Sequence, residues 1–303
     1  MAKSAFLFPG QGAQTIGMAV ELCASLPAAR TLFDRAAGIL GYDLLNVCAS
    51  GPKERLDSTV VSQPAIYVAS LAALEKLKQE DPQASETCVA SAGLSLGEYT
   101  ALTYAGSLSF EEGLALVKQR GEAMQAAADA RPSTMISILL LEVDAVQTLC
   151  DEVSAAGLGL VRIANYLCPG NLVISGDTPA CEEVERRAAA AGAKTIRLAV
   201  AGAFHTPVMQ SAVEKLREAL SSVTLGALRV PVYANVTATA YSGPQEVQET
   251  LARQVVEPVR WEQSMRAMLE AGVERFYEIG PGRVLAGLLK RIQRKTECIN
   301  ITA

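Results

Sequence analysis

The segment Gly93-Leu94-Ser95-Leu96-Gly97 has the spacing of a nucleophile elbow. In that motif a serine hydroxyl is lifted out of a tight turn between a strand and a helix. The residues on either side fit that context: 87–92 (TCVASA) read as a strand, and Gly97 to Tyr104 as a helix. A helix starting beside the serine would aim backbone N–H groups and its positive dipole end at a reacting oxygen. The competing reading is a chance match in a glycine-containing turn, and the strand–turn–helix context weakens it. A serine hydroxyl also needs a base. The chain has one histidine, His205, in Ala203-Phe204-His205-Thr206-Pro207. If Ser95 is a nucleophile, no other imidazole can serve it. No acid stands out between the two at a strand end, and a standard α/β-hydrolase would place one there. A backbone carbonyl could hold the imidazole tautomer instead.

Two further features could serve such a site. The loop Pro9-Gly10-Gln11-Gly12-Ala13-Gln14 follows an apolar run (Ser4 to Phe8). It fails as a dinucleotide fingerprint because Thr15 takes the third glycine's place, and as a phosphate-binding loop because Met18 replaces the lysine. Its glycines suit close approach of backbone to a reacting group, or a plain strand-to-helix turn. Arg120 lies in a predicted helix among Leu116, Val117, Ala123 and Met124. A guanidinium on an apolar face either pairs with a carboxylate or phosphate or reaches out to water.

The elements that must carry these residues follow from periodicity. Helical patterns are expected over Ile16–Leu26, Ala29–Leu40, Val61–Gln79 and Phe110–Ala128. Strands alternating with helices imply a parallel sheet covered on both faces. After Arg131-Pro132 the pattern changes to strand 134–141, helix Val143–Ala156, strands 160–164 and 171–175, helix Pro179–Ala191 and strand 194–200. That βαββαβ order is the ferredoxin-like motif. The expected fold is therefore α/β. A larger parallel-sheet, α/β-hydrolase-like domain is made of 1–131 and 201–303, and 132–200 form an inserted ferredoxin-like small domain. In its second half the large domain should have helix Val208–Ser221, strand Val230–Ala234, a helix near Pro258–Ala271, strand Arg275–Ile279 and helix Arg283–Arg294.

Half of the residues are hydrophobic, 19% are charged and the net charge is −5. A sizeable core is implied, and a nucleic-acid partner is not. Seven cysteines, none in a CxxC pair, read as free buried thiols of a reducing compartment. No apolar run is long enough for a membrane span or signal peptide. The expected location is the cytoplasm, with a plastid or mitochondrion as the alternative if a transit peptide has been removed.

FPGQGAQ (8–14), GLSLGEYTAL (93–102), QRGEAMQ (119–125), AFH (203–205) and EIGPGRVL (278–285) occur in one order around the small domain. In this the chain resembles the malonyl-CoA:acyl-carrier-protein transacylases, the loading enzymes of type II fatty acid synthesis, which are related to polyketide-synthase acyltransferase domains. The resemblance implies a ping-pong acyltransferase. Ser95 would be the acylated nucleophile and His205 its base, with Gln11 and the backbone N–H of Leu96 forming the oxyanion hole. Arg120 would pair with the malonyl carboxylate, Gln254 would orient His205 through its carbonyl, and Phe204 would belong to the malonyl-selective pattern. No metal or bound cofactor is implied, since malonyl-CoA and phosphopantetheinylated acyl carrier protein are substrates of a monomer. One departure is Leu94, where the family often has histidine. The runner-up is a serine esterase or thioesterase using the same pair, and a carrier-docking module with a dead site is a third reading. An acidic carrier would need a local basic surface on this acidic chain. The candidates are Arg186, Arg187, Lys194 and Arg197, or Lys290, Arg291, Arg294 and Lys295.

Overall fold

Five residues, Ser4–Phe8, form β1, and every one of them is buried. Such a run suits the centre of a sheet covered on both faces. The computed structural model describes residues 2–303. β1 pairs in parallel with β2 (Cys88–Gly93) and with β8 (Arg275–Ile279). β7 (Val232–Tyr233) flanks β2, and β9 (Glu297–Ile301) flanks β8, both in parallel. The order β7-β2-β1-β8-β9 is an open parallel sheet. Phe8 stands level with Gly93, so the loops leaving β1 and β2 emerge side by side. In open α/β sheets ligands bind at such carboxyl ends.

Two long helices cover one face. Helix Thr59–Glu80 is buried along nearly all of its first sixteen residues. Helix Phe110–Asp129 packs against it and starts at a capping box, in which Ser109 Oγ accepts from Glu112 N and Glu112 answers to Ser109 N. Their axes approach closely: a Cβ on Gly121 would lie 2.8 Å from the Thr59 carbonyl oxygen.

A second sheet is built from β3 (Ser133–Leu139), β4 (Val161–Cys168), β5 (Asn171–Asp177) and β6 (Lys194–Arg197). Its order is β4-β5-β3-β6, and all its pairs are antiparallel. Helices Val143–Ala155 and Thr178–Ala190 pack on it. This is the ferredoxin-like order. The small sheet is tied to the large domain where Tyr166 N donates to Val259 O, and Val259 N to Ala164 O. An apolar cluster with Met124, Met135, Val173, Phe204 and Val255 fills the junction.

Several sequence expectations need correction. Ile16–Leu26 is not one helix: the chain stays in turns until Val20, and only Val20–Ser25 is helical. Gly17 at φ +92° and Ala19 at φ 63° break the helix, and Gly17 N is held by Cys48 O. The helix expected from Pro258 starts at Trp261, because Val259 is spent bridging to the small sheet. β6 stops at Arg197 rather than residue 200, and β7 is shorter than expected. Helices Leu44–Ser50, Lys53–Asp57, Pro82–Thr87 and Pro244–Gln254, and strand β9, were not foreseen. Among the described residues, no helix is long and apolar enough to cross a membrane. All seven cysteines are free, and six of them are buried.

Candidate active site

Ser95 occupies the turn between β2 and helix Gly97–Tyr104 at φ 52°. A non-glycine residue in that left-handed region carries strain of order 1–3 kcal/mol. The surroundings hold it there. A Cβ on Gly93 would lie 1.8 Å from the Gly97 carbonyl carbon, so the first glycine of the motif is obligatory. Asn235, just past β7, accepts from Ser95 N through its side-chain oxygen at 2.6 Å and donates to Gly93 O at 2.7 Å. It straps the elbow from both sides.

His205 faces the serine. Its Nε2 is 2.9 Å from Ser95 Oγ, and its Nδ1 is 2.9 Å from the Gln254 carbonyl oxygen. A carbonyl can only accept, so Nδ1 carries the proton and Nε2 presents its lone pair to the hydroxyl. Among the described residues, no carboxylate is hydrogen-bonded to the imidazole. His205 is also strained, at φ 62°, and its backbone N donates to Val255 O at 2.9 Å. Burial, with the nearby Arg120 charge adding to it, pushes its pKa down to about 4, although the Gln254 carbonyl works the other way.

Arg120 is 1% exposed and is brought to the same point from the middle of its helix. Nη1 donates to Gln63 Oε1 at 2.8 Å, and Nη2 to Gln254 Oε1 and Ser95 Oγ, each at 2.9 Å. Its Nε has no partner among the described residues. Burial works against its charge, but a guanidinium stays protonated. The carboxyl group that favours its charge is Glu98, fully buried in the first turn of helix Gly97–Tyr104. Burial raises its pKa to about 7, against hydrogen bonds from Tyr241, Gln254 and the Asn235 backbone and the charge of Arg120.

The loop after β1 lies against the elbow. Leu94 N donates to Phe8 O, and a Cβ on Gly10 would lie 2.3 Å from Leu94 O. Close backbone approach is therefore its role, and a plain turn does not describe it. The Gln11 side chain turns to Thr59 Oγ1, at 3.4 Å. The backbone N–H groups of Gln11 and Leu96 donate to no group among the described residues. Two backbone amides at the elbow are therefore free to donate, and the Gln11 side chain keeps one N–H beyond its bond to Thr59. Leu94 packs at the edge of an apolar cluster containing Trp261 and Leu285, so the histidine usual at that position is replaced by packing. Phe204 belongs to the junction cluster, and its carbonyl accepts from Ser175 Oγ at 2.8 Å.

Sequence reasoning missed Gln63, Glu98, Asn235 and Tyr241. Only Glu98 left a signal, as a carboxylate in the otherwise apolar stretch Leu96 to Leu102. Of the two basic clusters, the small-domain one is paired at home at its three arginines, while Lys194 is exposed and makes no ion pair among the described residues. Arg186 and Arg187 pair with Glu183, Arg187 also with Glu152, and Arg197 with Glu182 and Glu185. Lys290, Arg291, Arg294 and Lys295 are exposed and make no ion pair among the described residues. Arg291 caps the Pro169 and Gly170 carbonyls of the β4–β5 turn. Among the described residues, no group of three or more His, Cys, Asp or Glu side chains is placed to hold a metal ion.

Fold and site together define a class: an α/β protein with a serine–histidine pair at a strand–helix elbow and an inserted ferredoxin-like sheet. The chain belongs to the acyl transferase domain family, whose pattern matches residues 5–300. It is 43% identical over 303 residues to the mitochondrial malonyl-CoA-acyl carrier protein transacylase of Mus musculus, covering 96% of this chain and 79% of that protein. To the malonyl CoA-acyl carrier protein transacylase of Bacillus subtilis it is 41% identical, covering 100% and 94%. The solved transacylase of Coxiella burnetii superposes with a TM-score of 0.94 at 35% identity, over 99% of this chain and 94% of that one. A type II PKS acyl-carrier protein in complex with its malonyl-transacylase contains a chain that matches equally well, with a TM-score of 0.94 at 35% identity over 99% and 96%.

Proposed function

We propose that this chain transfers a malonyl group from malonyl-CoA to the phosphopantetheine thiol of acyl carrier protein through a malonyl ester on Ser95. The observation that carries the reading is Arg120: a buried guanidinium whose Nη2 is 2.9 Å from the candidate nucleophile. An enzyme that merely hydrolyses neutral esters has no use for a desolvated cation there. An acyl group ending in a carboxylate does.

Ser95 Oγ attacks the thioester carbonyl carbon while its proton passes to His205 Nε2. The Gln254 carbonyl, on Nδ1–H, stabilises the imidazolium in place of a triad carboxylate. The amides of Leu96 and Gln11 receive the oxyanion. When the tetrahedral intermediate collapses, the C–S bond breaks, and the CoA sulfur leaves with the proton from Nε2. In the second half, the carrier thiol gives its proton to Nε2 and attacks the ester, and Ser95 regains a proton as the C–O bond breaks. The relatives' names and the complex with a carrier protein support this pairing of donor and acceptor. Seven free thiols suit a reducing compartment such as the cytoplasm.

Intact-mass measurement after mixing with malonyl-CoA tests the reading. A malonyl adduct should form, disappear onto added holo carrier protein, and be absent in Ser95→Ala. Release of free malonate at the same rate with and without carrier would select the hydrolase instead.

A further inference from the structure

Glu98 touches neither Ser95 Oγ nor His205, yet the hydrogen-bond chain of the site ends on its carboxyl group. Its Oε2 accepts from Gln254 Nε2 at 2.6 Å, its Oε1 accepts from the Tyr241 hydroxyl, and Asn235 N lies 3.4 and 3.3 Å from the two oxygens. Donor chemistry makes this chain directional. Arg120 has only donors, so the oxygen of the Gln254 amide must face it, and it does, at 2.9 Å. The amide nitrogen then faces the other way and, on a fully buried side chain, needs acceptors from the protein. It has two, Ser95 O at 3.0 Å and Glu98 Oε2. Flipping the amide would set N–H against guanidinium and oxygen against carboxylate, leaving buried polar atoms unpaired on both sides. One residue, Gln254, thus joins three others: its amide links Glu98 to Arg120, and its backbone carbonyl holds His205.

We infer that Glu98 is a positioning residue: by fixing the Gln254 amide it holds the Arg120 fork beside Ser95, and so sets the preference for acyl groups that carry a free carboxylate. The inference rests on the malonyl-transfer reading and adds the device behind its selectivity. Tyr241 supports the device by occupying the second carboxylate oxygen.

The test compares Glu98→Leu, Glu98→Gln and Gln254→Leu with the wild type in single-turnover acylation by malonyl-CoA and by acetyl-CoA. Leucine removes the acceptor. Glutamine can still turn its carbonyl to Gln254 Nε2 while its NH2 meets the Tyr241 hydroxyl, which can accept. In Glu98→Leu the malonyl-to-acetyl ratio of kcat/KM should fall about tenfold or more, as for loss of one charge-assisted hydrogen bond, and Glu98→Gln should recover most of it. Gln254→Leu cuts the same link from its other end but keeps the backbone carbonyl for His205. It should show the same fall, and it decides the matter if Glu98→Leu does not fold. An unchanged ratio in either leucine variant overturns the inference. So does failure of Glu98→Gln to recover the ratio, since charge rather than amide placement would then be at work. A wild type that takes no malonyl group overturns the transfer reading itself and this inference with it, whereas a malonyl-preferring wild type beside unaffected variants overturns the inference alone.

Discussion

Replacing Arg120 with alanine separates acyl groups by their charge. The guanidinium has five N–H donors, and three hydrogen bonds engage them, to Gln63, Gln254 and Ser95. The bond to Ser95 Oγ is released when that oxygen becomes an ester. Nη2 then joins the spare N–H of Nη1 as a two-pronged edge for the malonyl carboxylate. Losing a buried partner of a charged hydrogen-bonded pair costs about 2–5 kcal/mol, or roughly 30- to 4000-fold in kcat/KM for malonyl-CoA. Acetyl-CoA has no carboxylate to strand and should be spared that loss. General damage, from leaving Glu98 without its counter-charge and Gln63 without its donor, falls on both substrates and cancels in their ratio. Arg120→Lys keeps the charge but not the fork, and should fall between. Single-turnover acylation with the two thioesters, on matched amounts of folded protein, gives the ratio directly. A malonyl-to-acetyl ratio unchanged in Arg120→Ala would refute the assignment and leave the arginine a structural residue.

The pH dependence follows from burial of His205. The base must be neutral, and its pKa is pushed down to about 4, so kcat/KM for acylation should lose its His205-dependent part only as pH falls through about 4 rather than through the ordinary histidine range. Arg120→Ala, which removes the nearby charge, should move that limb upward, and a wild-type His205 limb at 6.5 or above would contradict the burial argument. Folding stability carries the same sign: the unfolded chain protonates His205 below about 6.5 while the folded protein resists until about 4, so this part of the stability is lost as pH falls across that window. Glu98, raised to about 7, has the opposite slope, because the folded state takes up its proton first as pH falls. Glu98→Gln should therefore steepen the acid loss of stability in chemical denaturation, and an unaltered slope would speak against the raised carboxyl. For the partner, changing Lys290, Arg291, Arg294 and Lys295 to glutamate should raise the carrier-protein KM by about three- to thirtyfold, the sum of several exposed charge pairs, and spare acylation by malonyl-CoA. Reversing the self-paired cluster of Arg186, Arg187 and Arg197 should leave that KM nearly unchanged, and equal effects from both clusters would refute this docking face.

The sequence alone determined which side chains are candidates for the chemistry and which architecture presents them. Ser95 sits in a local motif whose strand, turn and helix all lie between Cys88 and Tyr104, and His205 is singled out as the only imidazole. The ferredoxin-like order was readable because each of its elements declares itself by its own periodicity. Local backbone chemistry already bent that reading at Ile16–Leu26, where positive φ at Gly17 and Ala19 overrides an apolar pattern that looks helical. Tertiary structure alone decided how the reactive pair is held. Asn235 reaches Ser95 across 140 residues, Gln254 reaches Arg120 across 134 and Glu98 across 156, and Tyr241 reaches Glu98 across 143. No periodicity links such positions. They become partners only because parallel strands bring their carboxyl ends to one edge, where a buried donor or acceptor must find a mate. The same pairing rule sorted the two basic clusters: both looked alike as strings of Lys and Arg, and only folding showed that the acids of helix Thr178–Ala190 and Glu152 pair with the three arginines of one and leave the other bare.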